Sequence, residues 1–460
     1  MSTHKTSHLA KQNYSVPEWM VRVQCILFGI LWTVTMLPNL LMVQNFTLIL
    51  GALIGIYVSI KNRKTLLSQK AIPLAIIVCL FLWVTLHLLI IGENHTLQWA
   101  EYKSLWKRAI LGSVFALGLG ISITESKKSH WATILGGFCG PMLIYYFKCL
   151  AGFAAIYYGF RLPEFLMLFS GGISPFYIPK ISYVFYCLPL LAVSLGSLGG
   201  VLRSKNLDWR IASIYMTLII GVLGIFYLEN IKNGFVWTFI LALIFLISLF
   251  WKGVKALSFK SYILLGIVCV TMLGAIFNNY RANYSWQSLP ADLKVAIYAQ
   301  PSEIWKENTS VYPLNENGQE VSHTNFDRIF YLKTAAIFLS QHPLGYGLVH
   351  SSFGHIARIS FSNAPLIQSH SGWMDFALGL GIPGVAILLL ASILTMFRAT
   401  TIESPWGEFG FWSLLSLALI FLTTEVSQKN YIDTYIWFMI LIASLGLKKP
   451  QIYLADFHLD

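Results

Sequence analysis

The chain has 460 residues, of which 56% are hydrophobic, 15% aromatic and only 11% charged, with a formal net charge of +12. A soluble domain carries about 25% charged residues, so the composition excludes a soluble enzyme, a disordered chain and a fibrous protein and leaves a polytopic membrane protein. The positive excess suits anionic headgroups or an anionic lipid-linked substrate, and no basic run interleaved with stacking aromatics argues for nucleic acid.

In chain order, the first 22 residues are polar and basic without a cleavable signal pattern, so the first apolar run is expected to be an uncleaved span. Apolar runs then fall at 24–41, 45–60, 71–92, 107–124, 131–158, 181–200, 211–228, 235–250, 261–278, 372–397, 409–424 and 433–447. At about 20 residues per crossing, they predict an all-α polytopic protein of about 12 transmembrane helices. Residues 1–278 carry nine spans with short loops, 279–371 form one large loop, and 372–460 carry three spans and a tail.

An even number of spans puts both termini on one side. With that side cytoplasmic, its loops and tails hold 18 Lys and Arg, against seven in the short loops opposite. The positive-inside rule then sends loop 279–371 outside, to the periplasmic face of a bacterial inner membrane. Within it, 308–325 reads as irregular, and 326–340 as an amphipathic helix with Phe326, Ile329, Phe330, Leu332 and Ala336 on one face. The sequence HPLGYG at 342–347 reads as a turn and 349–358 as a short helix. All six cysteines lie in apolar runs, without zinc-site spacing or a disulfide framework.

Cations gather on the outer face. The long loop holds Arg281, Arg328 and Arg358 with His323, His342, His350, His355 and His370, and Lys232 sits in the short turn ENIKNG. Arginine grips a pyrophosphate through paired hydrogen bonds and lysine as a point charge. Taken singly, each is more often an ordinary interfacial cation. His370 is the most specific, at the mouth of the tenth span in QSHSGWMDFALGLGIPG, where an imidazole serves as proton acceptor or as helix cap. His350 and His355 are five apart and miss a zinc-binding helical face, and no DxD pair stands outside to hold magnesium, so no metal site is expected. Glu303, Glu307, Glu316 and Glu320 have helix-like spacing in a loop context. Lys148 and His87 are the ionisable residues inside spans, and neither is given a catalytic role.

Three elements in order carry a resemblance. They are Arg328-Ile-Phe-Tyr-Leu332, the turn Pro-Leu-Gly-Tyr-Gly at 343–347, and His370-Ser371 followed after nine residues by Gly381-Ile-Pro-Gly384. With about twelve spans and one large outer loop, the chain resembles the bacterial O-antigen ligase and polymerase superfamily of membrane glycosyltransferases, with a GT-C-like architecture. Lys232 stands where that family often has a Ser-Arg-Gly turn, and Gly379 where many members carry an acid.

The resemblance implies glycosyl transfer from undecaprenyl pyrophosphate to a sugar hydroxyl of lipid A–core in lipopolysaccharide biosynthesis, with inversion and without metal, nucleotide or other cofactor. It implies His370 as general base, Arg328 at the pyrophosphate, and Lys232 with Arg281 as further substrate-binding cations. Polymerase and protein O-oligosaccharyltransferase branches share this chemistry; the Arg-x-x-x-Leu and His-Ser-x9-Gly combination is closest to ligases. A transporter of polyprenyl-linked glycan is the alternative of another class. Transporters favour paired broken helices in two related halves, and only one strong Gly/Pro break is present.

Overall fold

The computed structural model describes residues 16–123, 128–168, 174–204, 207–251, 257–300, 312–362, 364, 368–424 and 429–447. Lys5, Lys11, Lys127, Lys205, Lys252, Lys255, Lys448 and Lys449 of the charge count lie outside them, as do Glu303 and Glu307. The described chain is helical, and its extended structure is a single isolated bridge between Leu314 and Glu320.

Among the described residues, ten helices are long and apolar enough to cross a membrane. They are α1 (Glu18–Met36), α2 (Leu41–Lys61), α3 (Gln69–Ile91), α4 (His95–Ile123), α6 (Gly140–Tyr158), α7 (Lys180–Leu202), α8 (Trp209–Leu228), α9 (Lys232–Trp251), α10 (Phe259–Ala282) and α14 (Gly372–Ala399). Between α4 and α6 lies α5 (Lys128–Phe138), and between α10 and α14 lie α11 (Leu289–Tyr298), α12 (His323–Gln341) and α13 (Ser352–Ser360). The last two, α15 (Trp406–Ile420) and α16 (Lys429–Leu445), are apolar but shorter. Every apolar run of the sequence is therefore helical. One differs from expectation: 131–158 is two helices, because Gly140-Pro141 begins a new one after Cys139.

The central helix is α7, buried along nearly its whole length between α8, α9 and α15. The helices α3, α6 and α10 lie at the periphery and leave long apolar faces exposed, as lipid-facing helices do. Close crossings use small residues. A Cβ on Gly118 of α4 would come within 2.3 Å of Gly55 Cα on α2, so the two backbones touch there. A charge pair also bridges helices: Arg108 Nε lies 3.3 Å from Asp433 Oδ2, and Arg108 Nη2 donates to Gln44 Oε1 at 3.1 Å. Paired in this way, the ionisable groups of α4 and α16 are tolerated inside the bundle.

The segment after α10 forms a second, smaller core. Phe326, Phe330, Ala335 and Phe338 of α12 pack with Ala296 of α11 and with Phe353, Ile356 and Ala357 of α13. Buried Asp292 ties this core together, accepting hydrogen bonds from Ser288 Oγ (2.7 Å), Asn325 Nδ2 (3.0 Å), Asn315 Nδ2 (3.2 Å) and the Ser322 amide (3.2 Å). The start of the 279–371 loop is itself helical, to Ala282 and again over 289–298. The amphipathic helix expected over 326–340 is present and starts three residues earlier.

Candidate functional site

Lys232 and Asn233 begin α9, just after the tight turn that ends α8. Asn230 adopts φ +52°, a left-handed conformation that asparagine tolerates better than most residues. An amide cluster secures it: Asn283 Nδ2 and Asn279 Nδ2 donate to Asn230 Oδ1 at 2.7 and 3.0 Å, and Asn230 Nδ2 donates to Asn283 Oδ1 at 3.1 Å. The turn is thereby pinned to the end of α10. Lys232 Nζ then donates to Ser285 Oγ, immediately beyond α10.

Arg328 projects from the second turn of α12 and donates from Nη1 to Asn233 Oδ1 at 2.8 Å. Asn325, one turn earlier, donates to the Ser285 carbonyl at 2.7 Å. Arg328 is thus held by the residue that follows Lys232 in sequence, while Lys232 itself is held by Ser285.

His370 precedes α14 with φ +57°, a left-handed conformation uncommon outside glycine though one that histidine adopts more readily than most. Flanking side chains impose it. Ser369 donates from Oγ to buried Asp375 Oδ1 at 2.6 Å and from its amide to the same oxygen at 3.1 Å. Ser371 caps α14, its Oγ accepting from the Met374 amide at 3.4 Å. The cap role considered for His370 therefore belongs to Ser371. The His370 ring instead lies parallel to Tyr331 of α12, with centroids 5.8 Å apart and planes 15° apart.

Lys232, Arg328 and His370 all line one cavity of about 280 Å³. Asn233, Ser285 and Asn325 add polar groups, and Leu289, Ile329, Leu332 and Leu422 form an apolar wall. Mostly apolar, with two cations at one side, it fits an anionic headgroup joined to a hydrocarbon chain. Arg281 is not among its lining residues; it is exposed on the last turn of α10, with its guanidinium 4.4 Å above the centroid of the Phe277 ring.

The glycine motifs have a backbone explanation. Inside α14, Gly381 breaks helical geometry at φ +71°, and the turn after α12 fills the break. Tyr346 and Gly347 amides donate to Leu378 and Gly379 carbonyls, both at 2.7 Å, and the Ile382 amide donates to Pro343 at 2.8 Å. A Cβ on Gly381 would meet Leu344 backbone at 2.3 Å, and one on Gly379 would meet the Leu348 carbonyl at 2.7 Å. No acidic side chain fits at 379 for that reason. His87 donates from Nε2 to the Leu344 carbonyl at 2.8 Å, Trp83 Nε1 donates to Leu380 at 2.8 Å, and buried Glu101 accepts the Val349 and His350 amides. His87 is a structural strut in this docking: it ties the Pro-Leu-Gly-Tyr-Gly turn to α3, while Trp83 of the same helix ties α3 to α14.

The remaining loop histidines that the structure details are engaged elsewhere. His323 stacks on Tyr312 with centroids 3.7 Å apart, and His342 Nδ1 lies 3.1 Å from Glu93. Glu316 pairs with Lys294 at 2.7 Å. Lys148, buried in α6, reaches the Met167 carbonyl at 3.5 Å. Among the described residues, no group of three His, Cys, Asp or Glu is arranged to hold a metal ion.

Sequence reading passed over Asn233, Asp375 and Asp327. Asp327, beside Arg328, is half-buried and accepts from the Tyr312 hydroxyl at 3.2 Å on each carboxylate oxygen. Burial raises its carboxyl above the usual range, opposed by Tyr312, His370 and Tyr331. Burial pushes the Tyr312 phenol up to about 12, with the charge of Asp327 adding to it, and raises Tyr331 as well.

The sequence matches no protein-family model and no curated protein.

Proposed function

We propose that the chain is an inverting membrane glycosyltransferase of the O-antigen ligase type, working at the periplasmic face of a bacterial inner membrane. The donor is a glycan on undecaprenyl pyrophosphate and the acceptor a sugar hydroxyl of lipid A–core. One observation carries the reading: Lys232, Arg328 and His370, far apart in sequence, line a single cavity with an apolar wall. The resemblance of the surrounding motifs supplies the reaction class.

The chemistry follows from those groups. A sugar hydroxyl is a weak nucleophile, and His370 takes its proton as the oxygen attacks the anomeric carbon. The new glycosidic C–O bond forms as the bond from that carbon to the pyrophosphate oxygen breaks. The electron pair leaves with undecaprenyl pyrophosphate, whose growing charge Arg328 and Lys232 stabilise. Asn233 holds one guanidinium nitrogen and so aims Arg328. His370 returns its proton to water. A single displacement on one face inverts the anomeric centre.

A deletion strain examined by lipopolysaccharide gel tests the branch. Bare core with accumulated lipid-linked polymer is expected. Core capped by one repeat would assign the protein to polymerisation instead, and unchanged lipopolysaccharide with loss of a glycosylated protein would assign it to protein glycosylation.

A further inference from the structure

The proposed donor has three parts: a hydrocarbon chain, a pyrophosphate and the sugar bonded to it. The aliphatic side chains of the cavity suit the first, and Lys232 and Arg328 suit the second. Trp286 lines the same cavity and suits neither. Its place is fixed from several sides. The indole Nε1 donates to Asn279 Oδ1 at 3.2 Å, and the Trp286 amide donates to the Asn283 carbonyl at 3.1 Å. Ser285, just before it, accepts from Lys232 Nζ on its hydroxyl and from Asn325 Nδ2 on its carbonyl, the latter at 2.7 Å. Trp286 is thereby held on the side of the two leaving-group cations, next to the partner of Lys232 and one helical turn of α12 from Arg328. Its neighbours Tyr280 and Tyr284 are exposed, as interfacial aromatics are, whereas Trp286 is half-buried and contributes to the cavity wall.

Tryptophan has one polar group, a donor, and here Asn279 already occupies it. What the indole can offer a ligand is therefore ring surface. A pyranose matches that surface: its hydroxyls lie around the rim, and its C–H groups form an apolar face that complements the negative face of an aromatic ring. Resting on the proposed lipid-linked donor, we infer that Trp286 is the stacking platform for the sugar bonded to the pyrophosphate, held there by the hydrogen bond to Asn279 and by the anchoring of Ser285. The platform favours a first sugar with one C–H face free of axial hydroxyls. It also separates loaded from spent carrier. Once the sugar has left for the acceptor, undecaprenyl pyrophosphate keeps the cations and the apolar wall but loses the indole, which eases its release.

The test uses the full-length protein in lipid nanodiscs and two probes, lipid-linked glycan extracted from a strain lacking the protein and undecaprenyl pyrophosphate without sugar. Binding is measured with no acceptor present, so nothing turns over. Trp286→Ala is expected to weaken lipid-linked glycan by about tenfold. Undecaprenyl pyrophosphate should stay within about twofold of wild type, since Lys232 and Arg328 remain. Trp286→Phe keeps a ring and should hold the glycan within about threefold of wild type, whereas Trp286→Leu, apolar without a ring, should behave like Trp286→Ala. Equal loss of both ligands in Trp286→Ala would place the indole against the hydrocarbon or the pyrophosphate and overturn the inference. Unchanged glycan binding by a folded Trp286→Ala overturns it too, as does a Trp286→Leu protein that binds glycan as well as Trp286→Phe. If Trp286→Ala does not fold, the comparison of Trp286→Phe with Trp286→Leu decides by the same ratio of the two ligands. Failure of the proposed function is a separate result: a wild type that binds both probes but never transfers glycan is no transferase, yet the platform stands on the binding ratio. A folded wild type that binds neither probe overturns both.

Discussion

At the scale of single residues, the site depends on side chains whose positions are set by neighbours rather than by their own helices. Arg328 leaves α12 but is aimed by Asn233 of α9, and His370 is held in a left-handed conformation by Ser369, Asp375 and Ser371. Arg328→Ala should therefore nearly abolish transfer while the protein still reaches the membrane. Arg328→Lys should recover only part, because an ammonium cannot bond Asn233 and a pyrophosphate with a planar fork. Lys232→Ala should be milder, and Lys232→Arg tolerated. Glycan transfer and surface-normalised expression of the four variants check this, and normal activity of Arg328→Ala would move the pyrophosphate clamp elsewhere. Asn233 was hard to see beforehand because its value lies in a contact across 95 residues. Asp375 is different: its spacing, four residues after the capping Ser371, was visible but had no meaning until the φ of His370 was known.

At the scale of elements, the decisive feature is the interruption of α14. The Gly-x-x-Gly pattern and the Pro-Leu-Gly-Tyr-Gly turn were both legible as motifs, yet nothing in their spacing said that each fills the other. Their union is a set of backbone hydrogen bonds, and backbone pairing leaves only glycine as its trace in sequence. Gly381→Ala should cost about 1–3 kcal/mol from its positive φ alone, with a further penalty from the clash with Leu344. A lowered melting temperature in detergent and reduced transfer are expected together, because His370 sits immediately before the same helix. A variant as stable as wild type would show that the turn can leave the break without consequence. Periodicity recovered the existence of α12 but only part of its buried face: Phe326 and Phe330 are buried, Leu332 and Ala336 are exposed, and Tyr331, Ala335 and Phe338 are buried in their place. It failed at 131–158, where apolarity is continuous across the Gly140-Pro141 break and only the proline marks the boundary.

At the scale of the whole molecule, the bundle brings the starts of α9 and α14 to the same end as α12, so two cations and a histidine from three separate stretches meet there. Membrane composition made the all-helical, multi-pass character readable at once; the inter-helix arrangement was not, because lipid-facing and protein-facing apolar residues look alike in sequence. Orientation rests on charge asymmetry. Leu67→Cys, in the short loop between α2 and α3, should resist an impermeant thiol reagent in intact spheroplasts, whereas Asn317→Cys, exposed before α12, should react. These measurements require a background in which the native cysteines are replaced. The reverse pattern would put the cavity on the cytoplasmic side, where a periplasmic acceptor cannot reach it.

The central claim is that the cavity of Lys232, Arg328 and His370 performs glycosyl transfer with His370 as base. The most direct test is purified protein in detergent given lipid-linked glycan and lipid A–core, with wild type and His370→Ala compared side by side. Detergent abolishes the two compartments that transport requires, so product can arise only from catalysis. The wild type should form glycan-capped lipid A–core, and a folded His370→Ala should bind undecaprenyl pyrophosphate normally yet transfer about 10²- to 10⁴-fold more slowly. Near-normal transfer by folded His370→Ala would contradict the mechanism, and no product from folded, donor-binding wild type would contradict the enzyme itself.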